Sequence, residues 1–212
     1  MQKQKIIFIS LFVLVIAYFG GSYLYKNWYT QNLDFMAKEN TSVFIRPHSP
    51  IYGDANAKNY IIDFFDPACE TCKAFHPFVE SIMKKHPGKF KLVLRYAPFH
   101  TDSYYVVQML EAAKFQGKYD ETLNVLFKYQ DRWASHHSPN ISLIWAFLPE
   151  AGLDVEKLRD DMKKPEIDAI IKQDITDGKT LGVTKTPQFF VNGKPLIKFG
   201  YKELQELIES EL

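Results

Sequence analysis

One short stretch near residue 65 constrains the fold of this chain more than any other. Residues 60–65 form a continuous apolar run broken only by Asp63, which is typical of a central strand covered on both faces. The Asp-Pro pair at 66–67 follows at once and indicates the start of a helix. The only two cysteines, Cys69 and Cys72, fall in that first helical turn. The sequence therefore places both thiols where a buried strand meets a helix.

The two-residue spacing of the cysteines favours redox chemistry. Such a pair closes a small disulfide ring and opens it again, and a first cysteine at a helix N-terminus faces unpaired backbone N–H groups that favour a thiolate. The thiolate is the form that attacks disulfides. The alternatives are a fixed disulfide or half of a zinc site, but zinc takes about four ligands and the chain has no third cysteine. We therefore treat the pair as a candidate redox site and expect no metal or organic cofactor in it.

Composition and charge indicate the number of domains and argue against a nucleic-acid partner. A chain of 212 residues with 46% apolar residues and seventeen Phe suits one domain, or one domain that carries an insertion. The formal net charge is +1, and the basic residues form no stripe with interleaved aromatics. We therefore expect no nucleic-acid partner.

The N-terminus has the pattern of an export segment. Lys3 and Lys5 precede residues 6–19, which are apolar apart from Ser10. Positive charge before an apolar run predicts an N-terminus in the cytoplasm and the rest of the chain outside. Counted through Leu24, the run has 19 residues, and roughly 20 are needed to span a bilayer.

Residues 1–25 are therefore predicted to be a single-pass anchor in the inner membrane, and residues 26–41 a short linker. The alternative is a signal segment whose cleavage leaves a soluble periplasmic domain, because the strict apolar run also fits a signal peptide. Either route delivers the domain to an oxidising compartment, where disulfides form and persist.

Hydrophobic patterning predicts the remaining order as strand, helix, strand, a block of helices, two strands and a helix. An Asn-Gly pair at 192–193 between apolar runs indicates that the last two strands form a hairpin. A further edge strand precedes them all. We predict strands at 43–45, 60–65, 90–96, 188–191 and 196–199, helices at 68–85 and 201–211, and the helical block at 101–179.

This order and four features within it resemble a known fold. Besides the cysteine pair, Asp63 stands six residues before Cys69, Pro77 stands five after Cys72, and a Thr-Pro pair at 186–187 precedes an apolar strand. Together they resemble the thioredoxin fold, an α/β fold in which helices flank a central mixed sheet. In that fold the acid is buried, the first proline kinks the active-site helix, and the second is a cis-proline facing the cysteines.

The helical block narrows the resemblance. A block of about 80 residues is absent from plain thioredoxins and is similar to the inserted all-helical subdomain of the DsbA family of thiol:disulfide oxidoreductases. The stretches 49–72 and 181–195 look especially like membrane-tethered and copper-tolerance members of that family. The resemblance covers residues 42–212, which we predict to be one DsbA-like thioredoxin domain.

The resemblance implies a role for each matching residue. Cys69 is the nucleophile, and Cys72 resolves the mixed disulfide with the substrate. Asp63 accepts the proton of Cys72 through water; a purely structural acid is the alternative. Pro187, if cis, presents the backbone of Thr186 to an extended substrate strand. The Thr186 side chain contacts the sulfurs or merely packs.

The two residues between the cysteines depart from the family. Glu70 and Thr71 stand where the strongly oxidising members carry Pro-His. A carboxylate at Glu70 competes with the Cys69 thiolate for the helix dipole, which raises the pKa of Cys69 and makes the pair a weaker oxidant. A screened interaction of roughly 0.5–1 kcal/mol moves the potential by only about 10–20 mV. We assign both residues to redox tuning; the alternative for Glu70 is a favourable first-turn acid.

Other tempting residues have plainer explanations. The adjacent histidines 136–137 and His100 resemble metal ligands, but histidines in a polar loop are more often exposed. Trp133 and Trp145 are expected in the core of the helical block, with a substrate groove as the alternative. Lys73 either stabilises the thiolate or lies on the surface.

The sequence therefore predicts an extracytoplasmic thiol–disulfide oxidoreductase, acting as a dithiol oxidase. Its partners would be exported proteins that contain cysteine and a membrane redox protein that resets the pair, and the chain would be a monomer. One alternative is a reductase or isomerase that keeps exported thiols reduced. Another is a copper-binding protein that uses the reduced pair as soft ligands.

Overall fold

The computed structural model describes residues 2–134 and 139–212, and a mixed sheet of five strands forms the centre of this described part. Helices flank the sheet, which confirms the predicted fold class. The helices are α1 (Gln2–Glu39), α2 (Glu70–Lys85), α3 (Ser103–Lys114), α4 (Tyr119–Lys128), α5 (Gln130–Trp133), α6 (Ile141–Phe147), α7 (Val155–Asp161), α8 (Pro165–Thr180) and α9 (Tyr201–Glu209). The strands are β1 (Ile51–Gly53), β2 (Asn59–Phe65), β3 (Phe90–Tyr96), β4 (Gln188–Val191) and β5 (Lys194–Pro195).

The strand β2 lies at the middle of the sheet. The strand order is β1-β3-β2-β4-β5, and only the β2–β3 pair among these is parallel. The apolar run from Ile61 to Phe65 is buried throughout, because the sheet is covered on both faces and β2 is paired along both edges. The strands β2, β3 and β4 begin and end within one residue of their predicted positions.

Two apolar clusters cover the faces of the sheet. The larger one joins alternate residues of β2 and β3 to α2, α9 and the helices α3–α8. The smaller one contains Ile62, Phe64, Val93 and Phe190 together with Phe44. The helices α3–α8 lie between β3 and β4 in the chain, where the sequence predicted the helical block.

The predicted edge strand at 43–45 is wrong. Residues 41–43 form a short 3₁₀ turn, and β1 is the strand at that edge of the sheet. Phe44 is buried, and its ring packs against those of Tyr60 and Phe190. The carbonyls of Val43 and Phe44 accept hydrogen bonds from the Arg95 guanidinium at 2.5 and 2.9 Å. The apolar pattern at 43–45 thus reflects the burial of Phe44. The backbone carbonyls there bind the Arg95 side chain instead of a neighbouring strand.

The N-terminal helix differs from the predicted anchor and linker. The helix α1 continues from Gln2 through most of the stretch 26–41. Leu33 and Ala37 on it are buried, and a Cβ atom at Gly182 would lie 2.8 Å from the Leu33 side chain. No helix among the described residues is long and apolar enough to cross a membrane, so the predicted membrane anchor has no support in the structure.

A buried ionic network joins β3 to α8. Arg95 is fully buried, and its guanidinium donates to Asp174 Oδ1 at 2.8 Å and to Asp177 Oδ2 at 2.5 Å. Arg46 makes two further hydrogen bonds to Asp177 at 2.7 and 2.8 Å, and the ring of His48 lies 2.6 Å from Asp174. The network holds the last helix of the insertion against the sheet.

We expect Arg95→Met to lower the free energy of unfolding by about 3–5 kcal/mol, because it removes the fully buried cation that the Asp174 and Asp177 carboxylates share. Urea denaturation measures the loss. Lys163→Met, which removes an ion pair from the exposed side chain of Asp160, is the control and should stay close to the parent chain. A loss for Arg95→Met no larger than that of the control would contradict the assignment.

Candidate active site

The two cysteines lie at the start of α2, directly beyond the end of β2. Cys69 is the N-cap residue of α2, with extended backbone angles, and its carbonyl accepts a hydrogen bond from Lys73 N at 3.2 Å. Both cysteines are free thiols. Cys69 is 6% exposed and Cys72 is 1% exposed. The first sulfur is therefore the more accessible of the two.

The surroundings of Cys69 favour its thiolate. A hydrogen bond with the Cys72 side chain is the largest influence, and it lowers the pKa of Cys69. The side chain of Thr186 and the backbone N–H groups of Thr71 and Cys72 lower it further, while burial opposes them. The net effect lowers the pKa of Cys69 from 9.0 to about 6. A substantial fraction of Cys69 is therefore a nucleophilic thiolate at neutral pH.

Cys72 has the opposite character. Burial raises its pKa well above the ordinary value, and the hydrogen bond to Cys69 and the charges of Cys69 and Asp63 act in the same direction. The backbone N–H of Asp66 lies 3.5 Å from Cys72 Sγ. The two thiols thus differ in acidity, as an attacking thiol and a resolving thiol must.

Asp63 lies in the middle of β2. It pairs in register with Leu94 on one side and Phe189 on the other, and it is 2% exposed. Burial raises its pKa well above the ordinary value, and the charge of Cys69 adds to the effect. Its Oδ1 has no hydrogen-bond partner within residues 2–134 and 139–212. A buried carboxyl in this state keeps its proton to higher pH than an exposed aspartate does.

The loop before β4 lies against Cys69. The Thr186–Pro187 peptide bond is cis, and the Cys69 thiol donates to the Thr186 carbonyl at a distance of 3.4 Å. Thr186 is half-buried and Pro187 is buried. The structure therefore brings the cysteine pair and the Thr-Pro pair together, although they are more than a hundred residues apart in the chain.

Four other residues of α2 lie close to the cysteines in the chain. Glu70 and Thr71 are exposed at the first turn of α2, beside the active site and open to solvent. Lys73 forms an ion pair with Asp131 of α5 at 2.7 Å, so its ammonium is directed to that carboxylate. Pro77 lies inside α2, as the sequence predicted.

Two site residues were not identified from the sequence. Asp66 was predicted to cap α2, but Cys69 takes that position, and the buried Asp66 carboxylate instead accepts hydrogen bonds from the segment 99–103. Gln130 of α5 donates to the backbone carbonyls of Pro67 and Cys69. No local pattern indicates either contact, because the partners of each lie 33 or more residues away.

The described residues hold no group of three or more His, Cys, Asp or Glu side chains that could bind a metal. The histidines 136–137 lie outside the described residues. His100 Nδ1 lies 2.8 Å from Asp66 Oδ2. Trp133 is buried in the core, where its indole N–H donates to the Leu126 carbonyl, and Trp145 is half-buried under Arg159.

Comparisons with known proteins agree with this geometry. A family model described as Thioredoxin matches residues 46–210. The Na(+)/H(+) antiporter NhaA 1 of Mycobacterium sp. (strain KMS) is 26% identical over 161 residues, which are 71% of this chain and 25% of the antiporter. The chain thus spans about a quarter of the length of this relative.

Solved structures share the fold. A thioredoxin-like oxidoreductase from Silicibacter pomeroyi DSS-3 is 26% identical, with a TM-score of 0.69 over 81% of this chain and 96% of the other. The thiol-disulfide exchange protein alpha-DsbA2 from Wolbachia pipientis is 18% identical, with a TM-score of 0.68 over 85% and 96% of the two chains. The fold is therefore DsbA-like, with helices inserted into a thioredoxin core.

We expect the ultraviolet absorbance of the Cys69 thiolate to titrate with a midpoint near pH 6, since hydrogen bonds hold its pKa at about 6. The transition should vanish in Cys69→Ser and persist in Cys72→Ser. Cys72→Ala, which removes the hydrogen-bond donor to Cys69, should move the midpoint upward. A midpoint near the ordinary thiol value in the parent chain would contradict the arrangement described above.

We expect Asp63→Asn to stabilise the reduced chain at neutral pH. The unfolded chain releases the Asp63 proton near pH 3.8, whereas the folded chain retains it to higher pH, so the carboxyl costs stability as pH rises above that value. The variant should therefore be more stable than the parent chain at pH 7. Urea denaturation at two pH values measures it. The gain should disappear below the pKa of the unfolded carboxyl, and a pH-independent gain would refute the cause.

Proposed function

Since this chain belongs to the thioredoxin family, we propose that it is a thiol–disulfide oxidoreductase of the DsbA type. The observation that carries the proposal is the contact between the acidic Cys69 thiol and the carbonyl before the cis-proline, 3.4 Å away. A nucleophilic sulfur beside this loop can attack a sulfur of an extended substrate or be attacked by one. The buried Cys72 beneath it completes the pair.

In the oxidising direction, a substrate thiolate attacks Cys69 Sγ of the closed disulfide. The Cys69–Cys72 bond breaks, and its electron pair passes to Cys72 Sγ, which takes a proton. A second substrate thiolate then attacks the substrate sulfur of the mixed disulfide, and Cys69 leaves as a thiolate. The substrate gains a disulfide and loses two electrons, and the cysteine pair gains them. The reducing direction reverses each step.

Asp63 handles the proton of Cys72 in this scheme. Its carboxyl is buried, the charge of Asp63 raises the pKa of Cys72, and the charge of Cys69 raises the pKa of both groups. In the oxidising direction a neutral carboxyl can give a proton to Cys72 as the disulfide opens, with water between them. In the reducing direction the carboxylate takes that proton back when Cys72 attacks the mixed disulfide. Thr186, with its backbone at the sulfur, positions the substrate strand.

The stabilised thiolate favours the oxidase direction. Hydrogen bonds that lower the pKa of Cys69 stabilise the reduced form of the pair, and a pair with a stable reduced form is a stronger oxidant. We therefore propose that the chain acts mainly as a dithiol oxidase. A reductase or isomerase that keeps thiols reduced would need the opposite balance.

We place this activity outside the cytoplasm. Disulfides persist in oxidising compartments, and Lys3 and Lys5 before an apolar run are typical of an exported chain. The substrates would be exported proteins with paired cysteines. Each turnover leaves the pair reduced, so a membrane redox protein must reoxidise it.

The test equilibrates the purified chain with glutathione buffers and measures the fraction of reduced Cys69–Cys72. An oxidase should have a potential well above the approximately −270 mV of thioredoxin. A value at or below that level would exclude the oxidase direction and leave the reductase.

Trapping tests the exchange chemistry independently of direction. Cys72→Ser should accumulate a mixed disulfide with a peptide that contains a disulfide: the Cys69 thiolate attacks one sulfur of that bond, the other peptide sulfur leaves as a thiolate, and the resolving thiol is absent. Cys69→Ser is the matched control and should accumulate none, since Cys72 is buried. The proposed function is wrong if the parent chain does not exchange disulfides and Cys72→Ser does not form the mixed disulfide.

A further inference from the structure

The turn that presents Cys69 is held by a side chain from the helical insertion. Residues 66–69 form a turn that is closed by a hydrogen bond from Cys69 N to the Asp66 carbonyl at 3.0 Å. Gln130, the first residue of α5, is fully buried. Its Nε2 donates to the Pro67 carbonyl at 2.7 Å and to the Cys69 carbonyl at 3.1 Å. One amide group thus binds two carbonyls of the same turn.

Asp66 ties this turn to the segment that enters the insertion. Its Oδ1 accepts hydrogen bonds from Ala68 N at 2.8 Å and from Ser103 Oγ at 2.6 Å. Its Oδ2 accepts from the backbone N–H groups of residues 99–100 at 2.7 and 2.9 Å. Asp66 is fully buried, and its own N–H is directed at Cys72 Sγ. The turn is therefore held on one side by Gln130 and on the other by the segment 99–103.

The position of this turn matters for the chemistry of Cys69. The backbone N–H groups that favour its thiolate belong to Thr71 and Cys72, on the far side of the Cys69 backbone from the turn. Rotation about the Cys69 backbone would move the sulfur relative to both groups, and hydrogen bonds weaken steeply as their angles close. A donor that holds the Cys69 carbonyl therefore limits that rotation.

We propose that Gln130 is a positioning residue for the redox pair: by binding the Pro67 and Cys69 carbonyls, it keeps the Cys69 sulfur in reach of the N–H groups at the start of α2. The proposal rests on the proposed thiol–disulfide function and gives the helical insertion a direct part in it. The Lys73–Asp131 ion pair is a second link between α2 and α5, but exposed pairs hold geometry weakly.

The experiment compares Gln130→Met with Thr122→Val in the full chain. Methionine keeps the length of the side chain but donates no hydrogen bond. Thr122 is buried in α4 of the same insertion, and its hydroxyl donates to the Lys118 carbonyl at 2.5 Å, so the control also loses a buried hydrogen bond to backbone. Thiolate absorbance gives the pKa of Cys69, glutathione equilibration gives the potential, and urea denaturation gives the stability of each variant.

Gln130→Met should raise the pKa of Cys69 by about one unit, which is a tenfold loss of thiolate preference. A tenfold weaker oxidant follows, with a potential about 30 mV lower. Thr122→Val should leave both quantities unchanged while it loses stability. If Gln130→Met does not fold, Gln130→Asn replaces it, since the shorter amide does not reach both carbonyls.

A pKa of Cys69 that stays at the parent value in the Gln130 variant, with stability lost as in the control, would overturn the proposal and leave Gln130 a purely structural residue. The pKa is measured without any substrate. If the parent chain fails to exchange disulfides, the proposed function is wrong. The comparison of the Cys69 pKa values in the parent chain and the Gln130 variant still tests the role of Gln130.

Discussion

The active site depends on the pairing of β2 along both of its edges. Since β2 runs antiparallel to β4, with Phe64 opposite Gln188, the chain leaving β2 and the chain entering β4 meet at the same end of the sheet. Cys69 follows one strand and Pro187 precedes the other. The register of two strands therefore brings the thiol to the cis-proline loop, and a slip of one residue would turn Asp63 to the opposite face.

Burial then gives three neighbouring groups different pKa values. The same low-dielectric surroundings that raise the pKa values of Asp63 and Cys72 strengthen the hydrogen bonds at Cys69. Cys69 alone has enough donors to keep a negative charge, namely the Cys72 side chain, the Thr186 side chain and the first N–H groups of α2. One site thus holds a thiol of lowered pKa next to two acids of raised pKa, a combination that suits stepwise transfer of a disulfide.

The sequence predicted those parts whose signals are local. The strands β2, β3 and β4 and the helix α2 have apolar periods bounded by turn residues, and Asp63, Cys69 and the Thr-Pro pair stand at fixed spacings from them. It failed at 43–45, where Phe44 is buried but the chain forms no strand, and at 196–199, because the return strand of the hairpin lies at Lys194–Pro195 instead. It also gave no sign of the network at Arg95 or of Gln130, because their partners lie between 51 and 82 residues away and only the tertiary fold brings them together.

The exposed position of Glu70 limits how far it can set the direction of electron flow. A screened carboxylate at a helix start interacts with a neighbouring charge by roughly 0.5–1 kcal/mol, less than the approximately 1.4 kcal/mol that one pKa unit represents. The hydrogen bonds at Cys69 lower its pKa from 9.0 to about 6 despite burial. They therefore outweigh Glu70. The thiolate preference of Cys69 therefore depends first on the Cys72 and Thr186 side chains, then on the backbone N–H groups at the start of α2, and little on Glu70.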